Sequence, residues 1–144
     1  MGEKSAPKDL SNRLDTWSER TDFGETKSMD IKELQKKVIE FRDRRDWARY
    51  HNPKDLAISL CLETAELLEI FQWKNPDEVD ALKENEMSLE QVKEEIGDVL
   101  IYSLTLAYEF NLDPSEIIVN KLNINEKRYP ADRVRGKSRK YTEY

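Results

Sequence analysis

"LETAELLEIFQW", residues 62–73, winds into a helix with an apolar seam that a glutamate interrupts. At 3.6 residues per turn Leu56, Leu60, Leu67, Ile70 and Phe71 fall on one stripe, and Glu63 falls in its middle. Glu66 follows one turn later, so two carboxylates stand at i,i+3 on or beside a face that a helix normally buries. The stripe makes the segment a helix. The acids in it need a reason.

Working outward, the composition supports an all-α chain. Of 144 residues 38% are apolar and 38% charged, with only four glycines and long runs of Glu, Lys and Leu, which favours helices around one core. The net charge of −6 argues against a nucleic-acid partner. It is unevenly spread: seven Lys/Arg against two acids from Lys127 to Tyr144 give a tail of +5, leaving −11 for the rest. No apolar run of 18 residues is present, so no membrane helix is expected, and the lone Cys61 has no intramolecular partner; both point to the cytoplasm. Cys61 itself is expected to be a buried small hydrophobe.

Residues 1–28 contain few aliphatics and no sustained periodicity, and read as a disordered leader or extension, with Met29 a possible natural start. From Asp30 the pattern changes. Asp30 with Glu33 resembles a capping box, and Ile31, Leu34, Val38 and Phe41 recur at helical spacing to about Trp47. "HNP" (51–53) breaks that helix and opens a second, running to about Trp73. A polar stretch with a short helix follows, Ser88 is expected to cap a third long helix to about Phe110, and Asp113 with Pro114 opens a fourth, ended near Pro130. Residues 29–130 thus form a four-helix-bundle-like domain and 131–144 a basic tail.

The third helix repeats the anomaly of the second. Beside its apolar stripe of Leu89, Val92, Ile96, Val99, Leu100, Leu106, Ala107 and Phe110, the residues Glu95, Asp98 and Tyr102 cluster at the edge. On the fourth helix Lys121 lies between Ile117 and Ile124, with Asn125 one turn on. Either acidic pair alone is better read as a solvated face. Two pairs beside apolar stripes shift the balance, because ionised carboxylates taken towards an apolar interior repel and gather protons unless a cation joins them. Glu63, Glu66, Glu95 and Asp98 therefore read as ligands of a hard divalent ion, Mg²⁺ above all, which prefers oxygen and commonly sits between carboxylates and phosphates. A di-iron site would need Glu-x-x-His, a soft-metal site paired Cys or His, and a P-loop enzyme G-x-x-x-x-G-K-[ST]; none occurs.

Trp47, His51, Trp73 and Tyr102 fall at helix ends or beside the acids. Packing is the commoner role of a lone Trp, but next to a phosphate-binding ion flat rings could stack a nucleobase, at about 1–3 kcal/mol per base. His51 could hydrogen-bond a base or phosphate, or be structural. Gly97, inside the third helix, suggests a close approach by a neighbouring helix or ligand, or simple packing.

These motifs together resemble the MazG-type nucleotide pyrophosphohydrolases, an all-α family with the signature E-E-x-x-E followed by E-x-x-D. Glu63 and Glu66 in "LETAE" and Glu95 and Asp98 in "EIGD" match four of its five acids, 28 residues separating the pairs, while Leu62 stands at the first signature position. The sequences "RRDW" (44–47), "HNP", "ELLEIFQWK" (66–74), "DVLIY" (98–102), "KLNINEKRYP" (121–130) and "RGKSRKYT" (135–142) resemble the dCTP pyrophosphatase branch. The resemblance implies an oligomeric MazG-type fold, a dimer of dimers with pockets shared between subunits. It also implies Mg²⁺ on the four acids and Trp47, His51, Trp73 and Tyr102 lining a nucleotide pocket. The implied reaction is hydrolysis of a deoxynucleoside triphosphate, dCTP or a 5-modified dCTP, to monophosphate and pyrophosphate. On that reading Glu63 or Glu66 activates water, Lys121 offsets phosphate charge, and Asn125 and Tyr129 donate hydrogen bonds. The alternatives are a dUTP or broad-specificity triphosphate pyrophosphatase, and a non-catalytic helical oligomerisation or regulatory protein.

Overall fold

A computed structural model describes residues 29–136 and 138; the expected leader over 1–28 and half of the expected tail, residues 137 and 139–144, lie outside the described residues. The described elements are all helical. They are α1 (Ile31–Asp43), a 3-10 turn (Ala48–Tyr50), α2 (Pro53–Phe71), α3 (Pro76–Leu82), α4 (Glu86–Glu109), α5 (Pro114–Arg128) and α6 (Ala131–Val134).

Local chemistry sets the boundaries. Asn52 caps α2 by accepting from the Asp55 amide at 3.1 Å, with Pro53 in the first turn. α3 opens with a full capping box, Asn75 and Glu78 exchanging side-chain bonds with each other's backbone amides. α4 begins earlier than expected: Asn85 is its cap, accepting from the Ser88 amide at 2.9 Å, so Ser88 lies inside the first turn. Asp113 caps α5 and is held by Lys32 at 2.5 Å. α1 also stops short of Trp47. Asp46 takes a left-handed φ of 56°, and the Trp47 amide reaches back to the Arg42 carbonyl at 3.2 Å while Asp46 reaches Asp43, closing the helix as a Schellman turn. Asn111 ends α4 the same way, at φ 53°.

The main packing is α2 against α4, with α1 against α4 and α5, and α3 on α4. Among the described residues, Leu56 is fully buried and Ile39 is buried in the core. Arg42 is buried with them: its Nη1 donates to Glu109 at 2.6 Å, its Nε to Asp43 at 2.8 Å, and its guanidinium lies 5.3 Å from the Tyr108 ring centroid. It thereby ties α1 to the end of α4. Gln35 adds a bond to the Leu104 carbonyl at 3.0 Å.

Two further expectations, both about burial, fail. Ile96, Leu100 and Phe110 of the expected α4 stripe are exposed, because α2 and α1 cover only one side of that helix. Cys61 is exposed rather than buried. A Cβ on Gly97 would meet nothing within 4 Å, so no helix of the described chain approaches it. On α5, Ile117, Ile118, Val119, Leu122 and Ile124 are all exposed, and these run round more than one side of the helix.

Removing the buried cation would strand Glu109 beside the core. Arg42→Ala is expected to lower unfolding stability by about 3 kcal/mol, with Arg42→Lys recovering only part because an ammonium cannot reproduce the fork. Urea unfolding followed by circular dichroism measures both.

Candidate active site

Carboxylate oxygens of Glu63 and Glu66 on α2 and Glu95 on α4 lie within 4.8 Å of one another. Glu63 and Glu95 are partly buried and Glu66 is exposed. Asp98, exposed, stands outside that trio but close enough to act on it: after burial, its charge is the largest influence raising the Glu63 pKa, with Glu66 and Glu95 next. Glu95 is likewise raised, first by burial, then by Glu66 and Asp98, then by Glu94 and Glu69. Its Oε2 is buried without a hydrogen-bond partner. An all-oxygen donor set, mutually repulsive and with one orphaned buried oxygen, fits a hard divalent cation and gives a soft metal nothing to prefer.

The aromatic residues form a chain that ends on α4. Phe41 meets Trp47 edge-on at 6.0 Å, Trp47 lies 6.4 Å from His51, and His51 lies 6.2 Å from Tyr102, one turn beyond Asp98 on α4. His51 Nδ1 is also buried and unpartnered. Burial, then the Arg42 charge, lowers its pKa, against the opposing pull of Glu109, so the imidazole is neutral at neutral pH.

The remaining expected residues stand apart. Trp73 is 92% exposed and sits at φ 68°, third residue of a turn closed by the Lys74 amide on the Phe71 carbonyl at 3.1 Å. With Gln72 at φ −55°, ψ 135° this is a type II turn, whose third position favours Gly or Asn. A Trp there is held under strain and offered to solvent. Lys121 is exposed, Asn125 is half-buried, and Tyr129 follows the end of α5, which packs chiefly on α1 rather than along the α2–α4 seam.

Sequence reasoning missed two groups. Arg45 lies 3.5 Å from the Phe41 ring centroid and 5.7 Å from that of Trp47, bracing the aromatic chain; "RRDW" was the only signal. An open groove of about 510 Å³ lined by Glu66, Glu69, Ile70, Gln91 and Glu95 adjoins the trio, and counting one turn on from Glu66 and one turn back from Glu95 would have found it.

Residues 58–144 match the MazG-like family model, and the chain belongs to that family. Within it the chain is similar to dCTP pyrophosphatase 1 of Homo sapiens, 37% identical over 113 residues, and of Mus musculus, 34% identical over 113 residues. Each match covers 78% of this chain and 66% of the relative, so the chain spans about two thirds of their length. The crystal structure of a pyrophosphatase from Archaeoglobus fulgidus DSM 4304 is similar at 43% identity and a TM-score of 0.64, covering 72% of this chain and 94% of that one.

Carboxyls whose pKa is higher in the folded than in the unfolded state make folding more favourable as pH falls through the folded value, and less so above it. For Glu63 and Glu95 that penalty is present at about pH 7.5 and relieved towards pH 5. Glu95→Gln is therefore expected to melt above the wild type at pH 7.5 without divalent ions, the gap narrowing towards pH 5. Added Mg²⁺ is expected to raise the wild-type melting temperature more than that of the variant. Differential scanning fluorimetry reads both.

Proposed function

We propose that this chain is a Mg²⁺-dependent nucleoside triphosphate pyrophosphohydrolase that hydrolyses dCTP or a 5-modified dCTP to the monophosphate and pyrophosphate. The observation that carries this reading is the convergence of Glu63, Glu66 and Glu95 on one point, with Glu95 Oε2 buried and unpaired. The names of the similar relatives supply the base and the reaction.

Glu63, Glu66, Glu95 and Asp98 would hold the ion, which when bound supplies positive charge against the triphosphate. The protein's own work lies around it. Glu63 or Glu66 positions a water and takes its proton as the water oxygen bonds to phosphorus and the α–β anhydride breaks. Trp47, neutral His51 and Tyr102 offer flat surfaces and a hydrogen-bonding nitrogen to the base.

Trp73, Lys121, Asn125 and Tyr129 complete the pocket from a second copy of the chain, in a dimer of dimers. Two facts support this: Trp73 is solvent-exposed in the single chain, and α5 carries exposed aliphatics on more than one side, too many for a lone helix in water. The exposed, unpaired Cys61 suits the reducing cytoplasm. No helix among the described residues is long and apolar enough to cross a membrane.

Two experiments test this reading. A panel of nucleoside triphosphates assayed for pyrophosphate release with and without Mg²⁺ is expected to favour dCTP, and a preference for dUTP would reassign the base. In the same assay Glu63→Gln is expected to lower kcat at least about 100-fold with the helical content unchanged. Light scattering is expected to give four times the 17.0 kDa chain mass, and Leu122→Glu, on the exposed side of α5, a smaller species.

A further inference from the structure

Resting on the pyrophosphohydrolase reading, we propose that the nucleotide lies along the α2–α4 seam in one direction, base towards Tyr102, and that Gln91 receives its terminal phosphates. Gln91 is then a binding residue at the phosphate end of the site.

The order of groups along the seam carries the argument. On α4, Gln91, Glu95, Asp98 and Tyr102 follow at intervals of four, three and four residues, and so share one face. Opposite them the numbering climbs as that of α4 falls: Tyr102 meets the His51 ring, Asp98 acts on Glu63, Glu95 meets Glu66, and Gln91 shares a groove with Glu69 and Ile70. The helices are antiparallel here and the pairs form rungs. Eleven residues of α4 separate Gln91 from Tyr102, about 16 Å of helix, enough for an extended nucleotide.

The two ends differ in chemistry. At the Tyr102 end the rings of Trp47, His51 and Tyr102 follow one another at 6.4 and 6.2 Å, whereas Trp73, past Ile70 at the other end, is turned out to solvent, so a stacked base goes to the Tyr102 end. The carboxylates occupy the middle. Beyond them the open groove of about 510 Å³ offers an aliphatic wall at Ile70 and the Gln91 amide, the one uncharged hydrogen-bond donor among its lining side chains. A phosphate oxygen can accept from that amide at no cost in charge repulsion. Glu69, on the same groove, repels a bare polyphosphate and admits one escorted by a cation, so the fitting probe is magnesium pyrophosphate.

The test uses the full chain, with Gln91→Ala and Gln91→Glu, and titration calorimetry against magnesium pyrophosphate and, separately, against dCMP. Gln91 is exposed, so both variants are expected to keep the wild-type helix content and melting temperature. Gln91→Ala is expected to raise the Kd for magnesium pyrophosphate about threefold to tenfold, and Gln91→Glu further, with the Kd for dCMP unchanged in both. The KM for dCTP should rise by the same factor as the pyrophosphate Kd, with kcat held. Unchanged pyrophosphate affinity in both variants, or a loss that falls on dCMP instead, overturns the proposed direction. Should the wild type release no pyrophosphate from any nucleotide, the enzyme reading fails on its own. The calorimetric arm still decides whether Gln91 marks a polyphosphate end, and a wild type that does not bind magnesium pyrophosphate refutes that too.

Discussion

Carboxylates facing one another across the α2–α4 seam are the constraint around which this chain is arranged. Glu63 and Glu95 are partly withdrawn from water and face Glu66 and Asp98, so each ionised group raises the cost of the next. Charge repulsion on an exposed surface would be screened and cheap. In a seam that also excludes water from Glu95 Oε2, it is neither. The same two helices make the largest packing interface in the described chain, so the fold concentrates its apolar contact where it also concentrates its electrostatic strain. Such an arrangement is stable when a proton or a cation relieves it, which makes ligand binding and folding stability one coupled quantity.

Much of the fold was legible because the helix period is written plainly. Leu56 is buried, and Leu60, Leu67, Ile70 and Phe71 are partly covered, as the stripe around "LETAELLEIFQW" requires. Caps were less reliable. Asn85 outcompeted Ser88 because either residue can close a first turn and the pattern of α4 extends smoothly through both, while the end of α1 depended on Asp46 accepting a left-handed backbone that composition does not advertise. On α4, periodicity named Ile96, Leu100 and Phe110 as core without knowing that neighbouring helices cover only one side.

The candidate site divides in the same manner. Spacing along one helix is exact, so the i,i+3 acids and the Asp98–Tyr102 turn could be placed from sequence alone. The chain of rings could not, since its link to α4 is a contact between His51 and Tyr102, far apart in sequence, and its two shorter steps depend on how the backbone turns between α1 and α2. Nor could Arg45, whose guanidinium stacks on Phe41 without any carboxylate to mark it as structural. Trp73 was legible as an aromatic near a helix end, but its strained turn and its exposure were not.

That strain bears on how the pocket is built. A large aromatic residue in a left-handed backbone costs on the order of 1–3 kcal/mol, and a nearly bare Trp regains none of it within its own chain. The cost is tolerable when the ring is buried elsewhere, by a nucleobase or by a second copy. α5 presents the complementary case: it is tied to α1 through Lys32 and Asp113, yet leaves aliphatics uncovered on several sides. Under the proposed assembly both anomalies have one resolution, because the partner that covers α5 is also the body that brings Lys121 and Asn125 towards the acids. The pocket and the oligomer then form together, and the single chain holds the repulsive half of the site without the half that would use it.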